Sequence, residues 1–149
     1  MNPFHIRDYH PNDKTKVVAI LKLNVPQYFA ENEIADLEHY LDHEIEKYYV
    51  VELDNQIIGA GGINFEKNHT IGKISWDFLH PEFQGMGVGG ALLQHRLTIL
   101  KSMPEVATIM VRTSQLAHQF YEKNGFALEE IHKDFWAEGF DMHKMIYKK

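Results

Sequence analysis

The sequence predicts a single α+β domain in which helices flank one central sheet. Its 149 residues are about the length of one domain, enough to bury a core without disulfides. The apolar patterns follow the order β-α-α-β-β-β-α-β-α-β-β along the chain. Because strands and helices do not alternate regularly, a doubly wound parallel fold is disfavoured. We therefore expect one mixed α/β domain over residues 1–149.

The first half of the chain predicts one strand, two helices and a hairpin. Residues 4–9 alternate apolar and polar side chains, as strands do. Turn residues 10–13 lead into a helix with one apolar face, and Pro26 ends or interrupts that helix. Residues 31–46 predict a second helix with an apolar stripe and an acidic opposite face. The pattern of residues 48–65 is typical of a hairpin.

The middle of the chain predicts a strand, a helix and a second strand. Residues 71–79 form an apolar run between a turn and a proline, which indicates the fourth strand. Residues 88–103 carry apolar side chains on one helical face. Residues 106–111 are rich in β-branched side chains, which indicates a buried fifth strand.

The last third of the chain predicts a short helix and two strands. Ser114 can cap a helix that runs through Lys123, and the Asn-Gly pair that follows can end it. Strand patterns follow over residues 126–133 and 140–147. The aromatic loop of residues 134–139 joins them in this prediction.

Composition excludes several classes of function. The chain contains no cysteine, so disulfides, thiolate metal sites and a thiol nucleophile are excluded. The net charge of -6 disfavours a nucleic-acid partner, because such partners require a basic surface. No apolar run is long enough to span a membrane, and the start of the chain has no leader pattern. A cytoplasmic protein is the resulting expectation.

The glycine-rich stretch between the fourth strand and the next helix is the most informative motif. Four glycines occur within residues 85–90. Glycine permits positive φ and close backbone approach, and a helix N-terminus offers unpaired N–H groups. Together these features predict a site for phosphate or pyrophosphate. Main-chain amides can bind a polyanion even though the whole chain is acidic.

Two known phosphate-binding motifs fit this stretch poorly. A P-loop requires Lys and Ser or Thr after its second glycine, but Ala91 and Leu92 follow Gly90. The dinucleotide pattern matches at three glycines, yet five residues separate it from its strand. Its acidic residue is also missing, because Arg112 and Thr113 follow the next strand.

A third motif fits in full. Gln84-x-x-Gly87-x-Gly89, preceded by Leu79-His80-Pro81, resembles the acyl-CoA signature of the GNAT superfamily of N-acetyltransferases. A second block, from Ser114 to Phe126, resembles the C-terminal motif of that family. The resemblance implies a mostly antiparallel sheet that splays between strands four and five. It also implies acetyl-CoA as the co-substrate and no metal.

The resemblance implies where acetyl-CoA would be bound. The pantetheine arm would pair with the main chain at Asp77, Phe78 and Leu79, and a main-chain N–H near Leu79 would polarise the thioester carbonyl. The pyrophosphate would lie on the loop amides of Gln84, Gly85, Met86, Gly87, Val88, Gly89 and Gly90. Ser114 stands where the family often has an asparagine that contacts pantetheine. It can bind through water, or only cap the helix.

The resemblance also implies a general acid. Tyr121 stands at the position of the tyrosine that protonates the departing CoA thiolate. No family base carries over, because Lys73 and Ile109 stand near the positions where a glutamate is common. Asp77 is the candidate base, or an anchor for a cationic substrate, or an exposed strand residue.

Histidines offer weaker candidates for chemistry. Imidazole is a common general base, so His80, His118 and His143 are candidates, but ten histidines favour no single one. His39 and His43 have the i, i+4 spacing of a metal pair without a third ligand, so a solvated helix face is favoured.

The acceptor is expected to be an amine. In this fold it would lie between the early helices and the late aromatic loop. Acidic and aromatic side chains there suit a small cationic amine, and a solvated helix face accounts for the charges equally well. The acidic residues are Glu31, Glu33, Asp36, Glu38, Asp42, Glu44 and Glu46.

Several acceptors and a second function stay open. A polyamine, an amino acid, an aminoglycoside, a protein N-terminus or a lysine fits the chemistry, and a homodimer is compatible with it. Without cysteine, the acetyl group would pass directly from CoA to the amine. The alternative function is a catalytically silent acyl-CoA-binding sensor or interaction module.

Overall fold

The computed structural model describes residues 3–147, which form one seven-stranded sheet with helices on both faces. The sheet order is β1-β2-β3-β4-β5-β7-β6, and only the β4–β5 pair is parallel. The predicted α+β class and element order are confirmed. The elements are β1 (His5–Asp8), α1 (Lys14–Leu23), α2 (Glu33–His43), β2 (Lys47–Leu53), β3 (Gln56–Glu66), β4 (Ile71–Leu79), α3 (Val88–Lys101), β5 (Thr108–Thr113), α4 (His118–Lys123), β6 (Phe126–Ala137) and β7 (Phe140–Tyr147).

Strand β5 lies two residues later than predicted, and α3 ends two residues earlier. Three further differences bear on the predicted site residues. Helix α2 is shorter than predicted, so Glu31, Glu44 and Glu46 lie outside it. Strand β6 continues to Ala137 because it pairs with β7 as far as Phe140, so most of the predicted aromatic loop is strand. Helix α4 begins four residues after Ser114, whose Oγ instead accepts a hydrogen bond from the N–H of Leu116 in the preceding turn.

Glu33 is also not on the solvent-facing side of α2. It is 7% exposed, and its carboxylate accepts a hydrogen bond from the N–H of Ala30 at 2.8 Å. Burial raises the pKa of this carboxyl group. Glu33 therefore holds the turn before α2 and adds little to the acidic surface.

Two apolar cores lie on opposite faces of the sheet. Helices α1 and α2 cover one face, where Val17, Leu21 and Leu37 pack in one cluster with Phe78 of β4. Helix α3 covers the other face with its stripe of Val88, Leu92, Leu93, Leu97 and Leu100, and Tyr121 of α4 joins this core. Among residues 3–147, no helix is long and apolar enough to span a bilayer.

Strands β4 and β5 pair only over the first four residues of each. Residues Ile71 to Ile74 pair with residues Thr108 to Val111, and no pairing follows beyond them. Just past this point, β4 contains a bulge in which Trp76 and Asp77 oppose the single residue Gly61. Trp76 has a φ of +46°, which is uncommon for a bulky side chain. The bulge and the end of pairing open a gap between the two strands.

Helix α4 is attached to the sheet by a histidine pair. Nδ1 of His118 in α4 lies 2.9 Å from Nδ1 of His143 in β7, and His143 is 9% exposed. Burial, with the neighbouring His118 as the second cause, lowers the pKa of His143. Because one nitrogen of the pair must accept, protonation of both rings breaks this hydrogen bond.

We expect the protein to lose stability as the pH falls from 7.5 to 5.5. The unfolded state binds a proton at His143 more readily than the folded state, so stabilisation is complete above about pH 6.5 and is lost below it. His95, whose pKa burial also lowers, adds to this trend. Thermal unfolding of the wild type and His143→Gln at both pH values measures the effect.

The dependence of Tm on pH should be smaller in His143→Gln than in the wild type. His132→Gln is the matched control, because His132 is an exposed side chain of the neighbouring strand β6. Equal pH dependence in the wild type and His143→Gln would contradict the assignment.

Candidate active site

The loop between β4 and α3 exposes a row of main-chain amides. Gly85 and Gly87 have φ values of +81° and +80°, which glycine adopts without strain. Gly87 is the N-cap of α3, and no side chain caps this helix. The N–H groups of the first helical turn have no intrahelical acceptor, so they are available to an anion. The side chain of Val88 is buried, so only its main chain faces this site.

The end of β4 lies beside this loop. The N–H of His80 donates to the carbonyl of Ile58 in β3, so Leu79 and Gly59 form a pair without hydrogen bonds between them. The N–H and the carbonyl of Leu79 therefore point away from β3. The Leu79 carbonyl accepts a hydrogen bond from Nδ2 of Asn24 at 2.9 Å. The Leu79 N–H therefore faces the gap between β4 and β5. The Phe78 side chain points to the sheet face that α1 and α2 cover, where it packs edge-to-face against Phe29.

Tyr121 of α4 reaches across the gap to β4. Its ring is 2% exposed, and its hydroxyl donates a hydrogen bond of 2.5 Å to Oδ2 of Asp77. Burial, followed by the charge of Asp77, raises the pKa of Tyr121 well above 10. Tyr121 is therefore protonated over the whole physiological range. The two predicted catalytic residues are thus direct partners.

Arg96 of α3 provides the counter-charge of this pair. The side chain is fully buried, and its Nη2 donates to Oδ2 of Asp77 at 2.8 Å. Its other hydrogen bonds go to main-chain carbonyls. Nη1 donates to the carbonyl of Gly62 and Nε donates to the carbonyl of Leu92, both at 3.2 Å. The charge of Asp77 is therefore already neutralised by Arg96. An anchor for a cationic substrate would need an unpaired carboxylate, so the ion pair with Arg96 disfavours that role for Asp77.

Gly61 makes room for this cluster. A Cβ atom at Gly61 would lie 2.8 Å from Cβ of Asp77 and 3.0 Å from Nη1 of Arg96. Only glycine fits opposite the bulge while both side chains keep their places. The bulge, the glycine and the arginine are thus parts of one arrangement.

A polar groove of about 180 Å³ lies on the opposite face of β4. Tyr40 donates a hydrogen bond of 2.5 Å to Oδ1 of Asn64 at its wall. Lys73, at a position where a family base was expected, forms an ion pair of 3.0 Å with Glu66. The groove is lined by Tyr40, Glu44, Asn64, Lys73, Ser75 and Trp76.

The segment before α2 and the β6–β7 hairpin meet, as the sequence predicted for an acceptor site. Asn32 Nδ2 lies 3.4 Å from the carbonyl of Trp136. The indole N–H of Trp136 donates to the carbonyl of Thr113 at 3.1 Å, at the end of β5. These contacts fix the hairpin beside the end of the gap.

The histidine candidates have structural partners. His80 accepts a hydrogen bond from the N–H of Glu82 in the turn after β4. His118 and His143 bond to each other, and His39 stacks near His43. Within residues 3–147, no group of three or more His, Asp or Glu side chains could hold a metal ion.

Sequence reasoning missed Arg96, Gly61 and Asn24. A signal for Arg96 was present, because it replaces an apolar residue in the i, i+4 stripe of α3 formed by Val88, Leu92 and Leu100. Gly61 and Asn24 gave no comparable signal. The role of Gly61 depends on the β4 bulge. The role of Asn24 depends on its hydrogen bond to Leu79, which lies 55 residues further along the chain.

Known proteins are similar to this chain in sequence and in fold. An amino-acid acetyltransferase from Proteus mirabilis (strain HI4320) is 31% identical over 93 residues, which are 62% of this chain and 20% of that protein. The chain thus spans about a fifth of the length of this curated relative.

Solved structures agree with this fold. A GNAT-family acetyltransferase from Desulfovibrio desulfuricans has a TM-score of 0.81 at 19% identity, covering 97% of this chain and 98% of that one. An aminoglycoside 6'-N-acetyltransferase complexed with coenzyme A has a TM-score of 0.77 at 13% identity, with 95% of each chain covered. At these identities the likeness concerns the fold.

The family model of the acetyltransferase (GNAT) domain matches residues 13–149, which is most of the chain. That match agrees with the gap between β4 and β5, the glycine loop and the tyrosine of α4. The chain belongs to the GNAT acetyltransferase family.

Proposed function

We propose that this protein is an N-acetyltransferase that transfers the acetyl group of acetyl-CoA directly to a primary amine. The observation that carries the proposal is the gap between β4 and β5, where three elements present groups suited to this chemistry. The uncapped amides of α3 follow the end of β4, and the Leu79 N–H faces the gap. The Tyr121 hydroxyl, from α4, reaches Asp77 of β4 across the gap. Family membership supports the same reaction.

Acetyl-CoA would be held mainly by the main chain. The loop amides of residues 84–90 suit its diphosphate, and the edge of β4 beyond its pairing with β5 is open to the pantetheine arm. Ser114 could add a contact, although its Oγ already accepts from Leu116. This arrangement needs no basic side chain, which is consistent with an acidic protein.

The reaction would proceed without an acyl-enzyme. The neutral amine nitrogen attacks the thioester carbonyl, a C–N bond forms and the C–S bond breaks. The Leu79 N–H would stabilise the oxyanion. The amine loses one proton to solvent, the CoA thiolate gains one from Tyr121, and the resulting tyrosinate regains a proton from solvent. No cysteine is present to carry the acetyl group.

Asp77 suits the orientation of Tyr121 better than proton removal from the amine. Oδ2 of Asp77 accepts from both Arg96 and Tyr121, and a base that took up a proton would lose its ion pair with the buried Arg96. The Tyr121 proton is thereby held in one direction until the developing thiolate competes for it. We therefore propose Tyr121 as the general acid and Asp77 as its hydrogen-bond partner.

A small cationic amine is the proposed acceptor. The groove beside the bulge offers the carboxylate of Glu44 together with the rings of Tyr40 and Trp76, whose centroids are 6.1 Å apart. A carboxylate beside aromatic faces attracts an ammonium group. The named relatives act on an amino acid and an aminoglycoside, which are also small amines.

A silent acyl-CoA-binding module remains the second candidate. The observation that favours it is the missing base, because Lys73 is paired with Glu66 and Asp77 with Arg96. The intact Tyr121–Asp77 hydrogen bond argues for catalysis instead.

Gly87→Asp should weaken acetyl-CoA binding about tenfold or more, because it places a carboxylate where the diphosphate would lie. Calorimetric titration with acetyl-CoA measures this change. Gly139→Asp is the matched control, because Gly139 has nearly the same φ of +83° and, like Gly87, open space around it. Equal affinities of the two variants would refute the loop assignment.

Tyr121→Phe should lower kcat about a hundredfold while KM for acetyl-CoA changes little, because only the proton donor is removed. The control is Tyr147→Phe, which removes a hydroxyl from another aromatic of the same core. Steady-state release of free CoA gives both constants. If Tyr121→Phe turns over at the wild-type rate, Tyr121 is not the general acid.

A panel of amines should identify the acceptor class. We expect 1,4-diaminobutane to give a kcat/KM about tenfold higher than 4-amino-1-butanol, which keeps the primary amine but lacks the second charge. The panel includes an aminoglycoside, free amino acids and a peptide with a free N-terminus. Preference for the amino alcohol contradicts the cationic acceptor. Acetyl-CoA binding without CoA release for any amine favours the silent module.

A further inference from the structure

The interior of α3 contains a charge that packing alone does not explain. Arg96 is 0% exposed and lies among leucines in the middle of the helix. Replacing a buried ion pair with apolar side chains of similar volume is often neutral or stabilising. Stability is therefore not a sufficient reason for an arginine at this position, and the groups that it contacts become informative.

The guanidinium of Arg96 links three separate elements. It donates to Oδ2 of Asp77 in β4 and to the carbonyl of Gly62 in β3, while its own helix supplies the Leu92 carbonyl. Oδ2 of Asp77 also accepts the hydroxyl of Tyr121 in α4. A continuous chain of hydrogen bonds thus runs from α3 through β4 to α4, across the gap between β4 and β5.

We propose that Arg96 is a positioning residue for acetyl transfer: it fixes the Asp77 carboxylate in the orientation that accepts the Tyr121 hydroxyl. This inference rests on the proposed function, since Tyr121 acts on the reaction and Arg96 acts through Asp77. A planar guanidinium suits the role because it holds several acceptors in one fixed geometry.

The charge of Arg96 also has an electrostatic effect on Tyr121. The neighbouring Asp77 carboxylate raises the pKa of Tyr121, and the Arg96 guanidinium lowers it. Arg96 therefore offsets part of the rise in the pKa of Tyr121 that Asp77 causes. Tyr121 is a better proton donor with both residues present than it would be with Asp77 alone. Loss of Arg96 would leave a half-buried carboxylate unpaired, and Asp77 would turn toward water and away from Tyr121.

Three variants test the proposal. Arg96→Met keeps the length of the side chain but removes its charge and its donors. Arg96→Lys keeps the charge without the fork of donors. Arg96→Met combined with Asp77→Asn removes both charges, so this variant should fold even if the single variant does not. Arg7→Met is the matched control, because Arg7 also pairs with a carboxylate, that of Asp13, at the far edge of the sheet.

The readouts separate positioning from folding. Tyrosines labelled with 13C at Cζ report on the hydroxyl environment of Tyr121, and the signal missing from Tyr121→Phe assigns it. Steady-state kinetics use acetyl-CoA and the fastest amine of the panel, normalised by the folded fraction from circular dichroism. Calorimetry gives the affinity for acetyl-CoA.

We expect Arg96→Met to shift the Tyr121 signal and to lower kcat about tenfold or more, while acetyl-CoA affinity changes less than about threefold. Arg96→Lys should recover part of kcat, the double variant should match Arg96→Met, and Arg7→Met should behave as the wild type. Either an unchanged Tyr121 signal or a wild-type kcat in folded Arg96→Met or the folded double variant would overturn the proposal.

The same experiment separates this inference from the proposed function. If the wild type turns over no amine, the proposed function fails, and the Tyr121 signal still decides whether Arg96 positions that hydroxyl. If the wild type is active and the Tyr121 signal does not move in the folded variants, only the role of Arg96 fails.

Discussion

The buried ion pair between Arg96 and Asp77 holds together elements that the divergence of β4 and β5 would otherwise separate. Once the two strands stop pairing, no ladder hydrogen bonds cross the gap. The chain from Arg96 through Asp77 to Tyr121 crosses it instead. The Trp76–Asp77 bulge aims Asp77 at this chain, and Gly61 leaves the space that it needs. The gap is therefore open to a ligand and still braced.

The two halves of the proposed site use different kinds of group. Main-chain amides and the exposed edge of β4 would hold the co-substrate, whereas side chains line the groove for the acceptor. Main-chain groups depend on φ and ψ rather than on side-chain identity, so an acidic protein can still bind a polyanion. Under this division, a serine at position 114 in place of the asparagine common in the family is compatible with binding of the co-substrate by the loop.

The sequence supported the fold better than the site. The element order and the glycine loop followed from periodicity and turn chemistry, which are local. Strand β6 was predicted too short because its last residues are fixed by pairing with β7, which the local pattern does not show. Tyr121 and Asp77 were each singled out, but their hydrogen bond spans 44 residues and depends on the bulge. Glu33 looked like a surface charge because periodicity does not reveal a buried hydrogen bond to the main chain.

Asn24 has a consequence for the relation between the first helix and the end of β4. Its side-chain amide donates both to Ile20 O in α1 and to Leu79 O at the end of β4. The end of the first helix and the strand that faces the gap are therefore tied by a single side chain. Because of this hydrogen bond, a displacement of Asn24 would be transmitted to the main chain of Leu79. One side chain thus couples the end of α1 to the strand whose Leu79 N–H is proposed to meet the thioester.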